Sequence, residues 1–196
     1  MSRRADAGFT FIELAVVVGV LGVLMAIAVP TVMDITGDIK LRNAMREVER
    51  ELQTARLKAV TANRPIRVRF NCPAAGEYRM VELLGSTRVP AADDDDTAAA
   101  TRCSQSTYPF PADTNPLTTP NQDGPIRRLP NRVTFGSAAA VEFWPDGSAH
   151  QASGTTPPWP VIPAAGTAVS VRMTRNNVTS TRTISINGLG KIQIQR

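Results

Sequence analysis

The chain has 196 residues, two cysteines, one histidine and a formal net charge of +5. This length suits one domain of ordinary size once an N-terminal segment is set aside. Two cysteines and one histidine do not complete a zinc ligand set, and they leave few ways to activate a serine or cysteine nucleophile. We therefore predict no metal site, no cofactor and no catalytic residue.

The first predicted element is an apolar segment, residues 9 to 29, in which Glu13 is the only charged residue. As a helix it would extend about 31 Å, close to the hydrocarbon thickness of a bilayer. Arg3 and Arg4 precede it, and positive charge on that flank predicts a cytoplasmic N-terminus. The segment indicates a membrane-inserting helix, with the folded part of the chain on the other side of the membrane.

Three interpretations of residues 1 to 30 compete. Ala26 and Ala28 stand in the A-x-A pattern of a cleaved signal peptide, which would leave a mature N-terminus at Val29. The second interpretation is a plain membrane anchor. Neither explains Glu13, since a carboxylate inside the bilayer costs on the order of 3 kcal/mol.

The third interpretation rests on the motif GFTFIEL, residues 8 to 14. It resembles the processing site of type IV pilins and of the pseudopilins of type II secretion, in which a basic leader ends in glycine, the first mature residue is aromatic and the fifth is glutamate. Gly8, Phe9 and Glu13 fill those places, and Pro30 falls where the family's helix carries its proline. The resemblance implies that a prepilin peptidase cleaves after Gly8 and that the new amino group of Phe9 is methylated.

The physics of the bilayer agrees with that use of Glu13. A carboxylate at this depth needs a cationic partner, and the natural one is the ammonium at Phe9 of a neighbouring subunit. We therefore predict that Glu13 sets the register between helices in a filament and that Pro30 kinks the helix. Gly19 and Gly22 either weaken this helix or allow neighbouring helices to pack closely, and both interpretations stay open.

Beyond Pro30 the apolar pattern becomes amphipathic, and the helix is predicted to continue until Pro65 closes it. Its apolar stripe is predicted to pack under a head domain. The stripe consists of Leu41, Met45, Val48, Leu52, Ala55 and Ala59. The predicted divisions are a cleaved leader over residues 1–8, an assembly half of the helix over 9–30, an amphipathic half over 31–62, and a β-rich head over 63–196.

Seven segments of the head alternate apolar and polar residues or are rich in β-forming types, which predicts strands. Turn residues at 145–147 (PDG) and 187–190 (NGLG) separate some of them. The predicted fold is α+β and pilin-like: a long N-terminal α-helix, its first half membrane-inserting, packs on a C-terminal antiparallel β-sheet head. The predicted strands are residues 66–70, 78–84, 132–135, 140–144, 168–174, 182–187 and 191–195.

Two long loops are predicted at residues 88–125 and 153–166, where proline, alanine and threonine replace the periodic pattern. Asp93–Asp96 in the first loop is interpreted as a solvated acidic patch, because four successive carboxylates cannot all turn toward one calcium ion. Trp159 in the second loop is either a lid on the core or a contact for a partner.

The cysteines and the histidine each have a structural interpretation. Cys72 and Cys103 suit one disulfide in an oxidising compartment, and two unpaired thiols are the alternative. His150 stands beside a turn in DGSAHQ, where nothing indicates an activated serine, so it is interpreted as a surface residue.

Residues 130–196, with the FWPDGS hairpin and the terminal GLGKIQIQ strand, resemble the GspH/FimT branch of the pilin superfamily. Residues 71–123 hold three basic and eight acidic side chains, whereas residues 124–196 hold eight basic and two acidic ones. The head is therefore predicted to be electrically polar, with a basic C-terminal region that would attract phosphates or acidic sister subunits.

Some FimT-like minor pilins bind DNA through a motif near the C-terminus resembling G-R-x-R, and arginine suits phosphate best. Here that place reads Gly190, Lys191, Ile192 and Gln193, which departs from the motif and weakens the implication. The candidate DNA-binding or anion-binding residues are Arg172, Arg175, Arg182, Lys191 and Arg196.

The resemblance implies a non-enzymatic minor pseudopilin or minor pilin, at the tip of a type II secretion pseudopilus or type IV pilus or in its initiation. Implied partners are the prepilin peptidase, other minor and major pilins or pseudopilins packed through their helices, and the bacterial inner membrane before assembly. The chain would cross that membrane once, with its head in the periplasm, before joining a periplasmic or surface filament. Alternatives are a DNA-binding minor pilin for natural transformation, a major pilin subunit, and a secreted β-domain.

Overall fold

The computed structural model describes residues 10–83, 103–104, 110, 123–151, 159–175 and 177–195. The chain divides into two compact units, Met1–Ile39 and Lys40–Arg196. The elements within the described residues are α1 (Phe11–Ala62), β1 (Ile66–Phe70), β2 (Glu77–Glu82), β3 (Arg127–Arg128), β4 (Val133–Phe135), β5 (Val141–Phe143), β6 (Ala149–Gln151), β7 (Thr167–Arg175), β8 (Val178–Ile186) and β9 (Ile192–Gln195).

The first unit contains the apolar half of α1. Thr10 precedes the first turn, and its Oγ1 accepts a hydrogen bond from the Glu13 N–H over 3.3 Å, as a capping threonine does. The helix continues through Pro30 without interruption. The kink at Pro30 stays a prediction.

The helix ends at Ala62 because Asn63 takes a left-handed conformation, with φ at 52°. The Arg64 N–H then donates to the Ala59 carbonyl over 3.2 Å, which is the long bond of a Schellman C-cap. Pro65 follows and cannot continue a helix. The predicted exit before Pro65 is confirmed.

The amphipathic half of α1 packs in the core of the second unit, as its apolar stripe predicts. The same apolar cluster includes residues of β1 and β5 and residues of β7 and β8, so the helix and both sheets share one core. The stripe residues that are buried there are Leu41, Met45, Val48, Leu52, Ala55 and Ala59.

Two antiparallel sheets form the head. The first has five strands in the order β3-β2-β1-β5-β6, and the second has four in the order β4-β7-β8-β9. The chain leaves the first sheet to place β4 beside β7, returns for β5 and β6, and finishes in the second sheet. The predicted α+β architecture, a helix packed on antiparallel sheets, is confirmed.

Three parts of the sheets were not predicted from the sequence. β3 is a pair of arginines, and β6 is three residues long, so neither offers a periodic pattern. β8 begins at Val178 rather than at residue 182, because its exposed first residues are held by pairing with the end of β7 and not by burial.

The loops are described only in part. Most of residues 88–125, including Asp93–Asp96, and the first part of the second loop, residues 153–158, lie outside the described residues. Trp159 is 3% exposed, which favours a buried lid over a contact for a partner, but its ring covers Arg67 and not the apolar core. The Ile162 N–H donates to the Ala149 carbonyl over 2.9 Å.

Candidate assembly helix and head surface

Among the described residues, none covers the apolar half of α1. Phe11–Val29 forms a 19-residue span with a mean hydropathy of 2.7, and no part of the span is buried among the described residues. It is long and apolar enough to cross a membrane. Phe11 is 87% exposed and Ile27 is 67% exposed. An apolar surface this extensive requires lipid or other helices around it, in agreement with the predicted membrane-inserting character.

Glu13 lies in the first turn of this span. Thr10, Phe11, Ile12 and Glu13 follow the S/T-x-x-E pattern of a capping box, a local signal for the start of the helix. The bond to Thr10 engages the backbone N–H of Glu13, so it places no demand on the carboxylate. Gly8 and Phe9, the predicted cleavage and methylation residues, lie outside the described residues.

The two helix glycines have room for side chains. A Cβ built on Gly19 or on Gly22 meets nothing within 4 Å. Close packing within this chain therefore does not explain either glycine. Both interpretations from the sequence, local weakness and contact with neighbouring helices, stay open.

The basic residues predicted to bind DNA or anions do not form one surface. Arg182 is paired with Val171 across β7 and β8, and Val171 is buried, so Arg182 lies on the core-facing side of the sheet. Arg172 is the neighbour of Val171 and therefore lies on the opposite, exposed face.

The other members of this group lie far apart along the sheet. Arg175 is at the hairpin between β7 and β8, paired with Val178. Lys191 is at the other end of β8, where its N–H donates to the Asn187 side chain over 2.9 Å. Arg196 lies outside the described residues. Among the residues that the structure describes, no two of the predicted basic residues form one cluster.

Charges that are separate in the sequence meet in the fold. From the basic half of the head, Arg127 lies 3.5 Å from Glu51. Arg128 donates through Nε to Glu77 over 2.9 Å. Part of the predicted electrical polarity is therefore neutralised by ion pairs within the chain.

Three arginines are buried although the alternation of their strands predicts exposed side chains: Arg67 and Arg69 on β1, and Arg79 on β2. Arg67 on β1 is fully buried, and its Nη2 lies 2.8 Å from Oε2 of Glu142 on β5. Its guanidinium also lies 3.9 Å from the centroid of the Trp159 ring. Trp144 donates to the other Glu142 oxygen over 3.2 Å. Arg67 and Glu142 lie opposite each other in the register of β1 and β5. Their opposite charges are the sequence signal that could have indicated this pairing.

Arg79, on β2, holds the end of the first loop against that strand. Its Nε donates to the Gly124 carbonyl over 2.7 Å, and its Nη2 lies 3.7 Å from Asp123. Asp123 in turn accepts from the Glu82 N–H over 2.7 Å. These contacts offset part of the cost of burying the two charges.

A third polar group surrounds Glu51. Burial raises the pKa of the Glu51 carboxyl, and the nearby Arg127, Lys58 and Arg50 oppose that rise. Tyr78 is buried as well, and burial with the nearby carboxylates of Glu47 and Glu51 raises the pKa of its hydroxyl.

His150 is buried, which corrects its interpretation as a surface residue: it is 3% exposed. The reason is that β6 carries it under Trp144, with ring centroids 3.7 Å apart. Its Nδ1 lies 2.8 Å from the Trp159 carbonyl, and its Nε2 lies 3.0 Å from Ser148 Oγ.

Ser148 also donates to Asp146, through Oγ over 2.6 Å and through its N–H over 2.9 Å. These bonds lower the pKa of the Asp146 carboxyl. In a hydrolytic triad the carboxylate orients the histidine, which then activates the serine. Here the carboxylate accepts a hydrogen bond from the serine hydroxyl, and the histidine Nδ1 is hydrogen-bonded with a backbone carbonyl. The arrangement braces the turn between β5 and β6.

The two cysteines meet in the structure. Cys72 and Cys103 form a disulfide whose Cα atoms are 5.4 Å apart, across a sequence separation of 31 residues. Among the described residues, no group of three or more histidine, cysteine, aspartate or glutamate side chains is placed to hold a metal ion.

An exposed apolar helix with one carboxylate near its start, joined to a helix-and-sheet head, defines the class of pilin-like subunits. Residues 3–29 match the family model of the prokaryotic N-terminal methylation motif, which implies processing by a prepilin peptidase. Residues 44–190 match the family model of type II transport protein GspH. The chain belongs to the GspH family and is a structural subunit of the minor pilin or pseudopilin type, as the resemblance implied.

Similar proteins include two curated fimbrial proteins of Pseudomonas aeruginosa, 40% identical over 63 residues, or 32% of this chain and 40% of theirs. The chain thus matches less than half the length of these relatives. Among solved structures, the type IV minor pilin FimU of Pseudomonas aeruginosa is 16% identical, with 83% of this chain and 92% of that chain covered and a TM-score of 0.45. The minor pseudopilin EpsH of Vibrio cholerae is 8% identical, with 80% and 96% covered and a TM-score of 0.41.

Proposed function

We propose that this chain is a minor pseudopilin or minor pilin that initiates or caps a short filament of a type II secretion system or type IV pilus. The observation that carries the proposal is the 19-residue apolar span of α1. None of this span is buried by the described residues, and it carries a single carboxylate near its start. Such a helix can leave the membrane only if other helices of the same kind cover its apolar surface.

The proposed history of the chain begins in the inner membrane. The leader, residues 1–8, stays in the cytoplasm with Arg3 and Arg4, and the head lies in the periplasm. A prepilin peptidase cleaves after Gly8, and Phe9 becomes the methylated first residue. The match of residues 3–29 to the methylation motif supports this order of events.

Mass spectrometry of the mature N-terminus tests the processing step. Processing as a pilin predicts a peptide that begins with methylated Phe9. A peptide that begins at Val29 would mean cleavage by signal peptidase and a secreted β-domain, and it would overturn the proposal.

Glu13 is proposed to pair with the methylated amine of Phe9 in a neighbouring subunit. The carboxylate is the one charge in the span, and opposite charges in a medium of low dielectric favour a defined axial offset between helices. The offset then sets the register of subunits along the filament.

The test is the Glu13→Gln variant, expressed with the native partner subunits and assayed by cross-linking into filaments. Loss of the charge should reduce incorporation at least about tenfold, the effect of roughly 1.4 kcal/mol, while cleavage after Gly8 continues. Two controls separate charge from capping: Glu13→Asp keeps the charge, and Thr10→Ala removes the hydroxyl that caps the helix. Normal incorporation of Glu13→Gln, or equal loss in Thr10→Ala, would contradict the register role.

We also infer that Cys72 and Cys103 are bonded in the mature protein, because both are buried and lie at the separation of a disulfide pair. Closing a loop of this length should stabilise the head by about 3 to 4 kcal/mol. Alkylation of the denatured, unreduced protein should label neither cysteine, and labelling of both would contradict the bond.

A role in DNA uptake has less support. A DNA site needs several cations on one face, and the described candidates Arg172, Arg175, Arg182 and Lys191 lie on different faces or at different ends of the sheet. Membership of the GspH family likewise favours a minor over a major subunit.

A further inference from the structure

A groove of about 820 Å³ lies in the second unit between α1 and strand β9. Its apolar floor comes from Met45 on the helix and from Ile192 and Ile194 on the strand, which pack against the core. Its remaining lining is polar. Those polar residues are Arg42, Arg46, Glu49, Arg182, Gln193 and Gln195.

The strand that forms one wall is the last in its sheet: among the described residues, β9 pairs with β8 alone. The Asn187 N–H donates to the Lys191 carbonyl over 3.2 Å. In an antiparallel pair the hydrogen-bonded positions alternate. The register of β8 with β9 therefore turns the backbone groups of Gln193 toward β8.

The same alternation turns the backbone groups of Ile192 and Ile194 away from β8. Each presents one N–H and one carbonyl along the open edge. An edge of this kind is a template for one further strand, which would gain backbone hydrogen bonds from these groups. The length available is the four residues of β9, about 13 Å at the rise of an extended chain.

The charges beside the edge select the occupant. Arg42 and Arg46 are exposed and four residues apart on one helix face. Arg182 faces the same groove from β8, and within the described part of the chain Glu49 is the single carboxylate in the lining. Three guanidinium groups against one carboxylate favour acidic side chains and disfavour basic ones.

We propose that this groove receives an extended, acidic segment of a neighbouring filament subunit, which adds to β9 as a fifth strand of the second sheet. The backbone groups of Ile192 and Ile194 bind the main chain of the segment, and Arg42, Arg46 and Arg182 bind its carboxylates. This inference rests on the proposed function only for the presence of a neighbouring subunit. The mode of binding follows from the backbone edge and the charges of the groove.

The test uses the full chain in detergent micelles with a synthetic peptide of about eight residues that alternates glutamate and valine, long enough to span β9. A peptide that alternates lysine and valine is the charge control. A glutamate–valine peptide with every second amide N-methylated, in either register, is the backbone control. Fluorescence anisotropy gives the affinities, and NMR hydrogen exchange gives the position of binding.

The acidic peptide should bind at least about tenfold more tightly than the lysine peptide. Amide exchange should slow at Ile192 and Ile194, and it should change little at Gln193, whose N–H is already bonded to β8. The double variant Arg42→Gln/Arg46→Gln should weaken binding at least about tenfold. Arg172→Gln is the matched control, because Arg172 lies on the other face of the sheet.

Three results would overturn the proposal. One is that both N-methylated peptides bind with the same affinity as the unmodified acidic peptide. Binding would then come from charge attraction without strand pairing. Another is the absence of binding at low salt. The third is a concentration-dependent dimer that the peptide dissociates, which would place a second copy in the groove. None of these results depends on cleavage after Gly8 or on Glu13, so failure here is distinct from failure of the proposed function.

Discussion

Glu51 shows how one buried carboxyl makes the stability of the head depend on pH. It is 4% exposed, and burial raises the pKa of its carboxyl above the ordinary 4.5. The folded chain then binds this proton more tightly than the unfolded chain does. The free energy of unfolding should therefore fall as the pH rises from that ordinary value through the raised one.

We predict that Glu51→Gln removes this component of the pH dependence. Urea unfolding of the full chain in detergent, at about pH 4 and about pH 7, should show a smaller loss of stability in the variant than in the native chain. Glu47→Gln is a control on the same helix whose carboxyl is less buried. An unchanged difference between the two pH values in Glu51→Gln would contradict the prediction.

Gly190 shows a different constraint at a single residue. It closes the turn between β8 and β9 with φ at 70°, a conformation that costs a residue with a side chain about 1 kcal/mol. A Cβ there would also lie 2.4 Å from the Gly147 carbonyl oxygen and 2.6 Å from Arg56 Nε. Since Arg56 already donates to that carbonyl, neither atom can move away freely.

We predict that Gly190→Ala destabilises the head by at least about 2 kcal/mol, the sum of the conformational cost and the steric overlap. Gly76→Ala is the matched control, because Gly76 has a similar φ of 79° but a Cβ there would meet only Val133 O, at 3.7 Å. That control should cost about 1 kcal/mol. Equal losses for the two variants in urea unfolding would exclude the overlap as a cause.

At the scale of elements, β1 and β5 are joined by a buried ion pair as well as by their backbone. Arg67 and Glu142 are opposite each other in register, and both lie out of water. Removing one partner leaves the other charge buried without compensation, whereas removing both leaves no charge. The pair is therefore expected to be strongly coupled.

We predict that Arg67→Met and Glu142→Leu each destabilise the head by about 3 to 5 kcal/mol. The double variant should cost clearly less than the sum of the two single variants. A double-mutant cycle from urea unfolding measures this difference. Additive losses would show that Trp159 and Trp144, rather than the opposite charges, account for the cost.

At the scale of the whole molecule, the core belongs to one of the two units. The second unit, Lys40–Arg196, contains the buried stripe of α1 and both sheets. The exposed apolar span lies in the first unit and contributes nothing to that core. The head should therefore fold without the membrane-inserting half of the helix.

We predict that a fragment beginning at Lys40 unfolds cooperatively in urea without detergent. A fragment beginning at Gln53 is the control, since it lacks four of the six stripe residues and leaves a large cavity between the sheets. The control fragment should show no cooperative transition. Cooperative unfolding of both fragments would mean that the helix is dispensable for the core.

Periodic segments were predictable from the sequence because their signals are local. The apolar span and its lone Glu13, the stripe of α1, the helix end before Pro65 and the long strands β7 and β8 all follow from the spacing of residues along one element. The motif around Gly8 also led to the family, since it depends on residue order alone. The cleavage and register roles that it implies remain predictions.

The tertiary structure alone decided which polar residues are buried. IRVRF in β1 alternates apolar and charged residues, as a strand with one solvent-exposed face does. However, Trp159, from a distant loop, covers the face that carries Arg67. His150 looks like a turn residue until β6 places it against Trp144. Burial on the second face of a strand depends on which segments pack there, and no short stretch of sequence contains that information.

By itself, then, the sequence determined the membrane-inserting helix, the α+β architecture and the family, because hydrophobic periodicity and a short motif act over neighbouring residues. The separation of the basic residues onto two faces, the pairing of Arg127 and Arg128 with acidic partners, and the open edge of β9 beside Arg42 and Arg46 were decided by the tertiary structure. Each depends on strand register and sheet order, which bring together residues that are far apart in the chain.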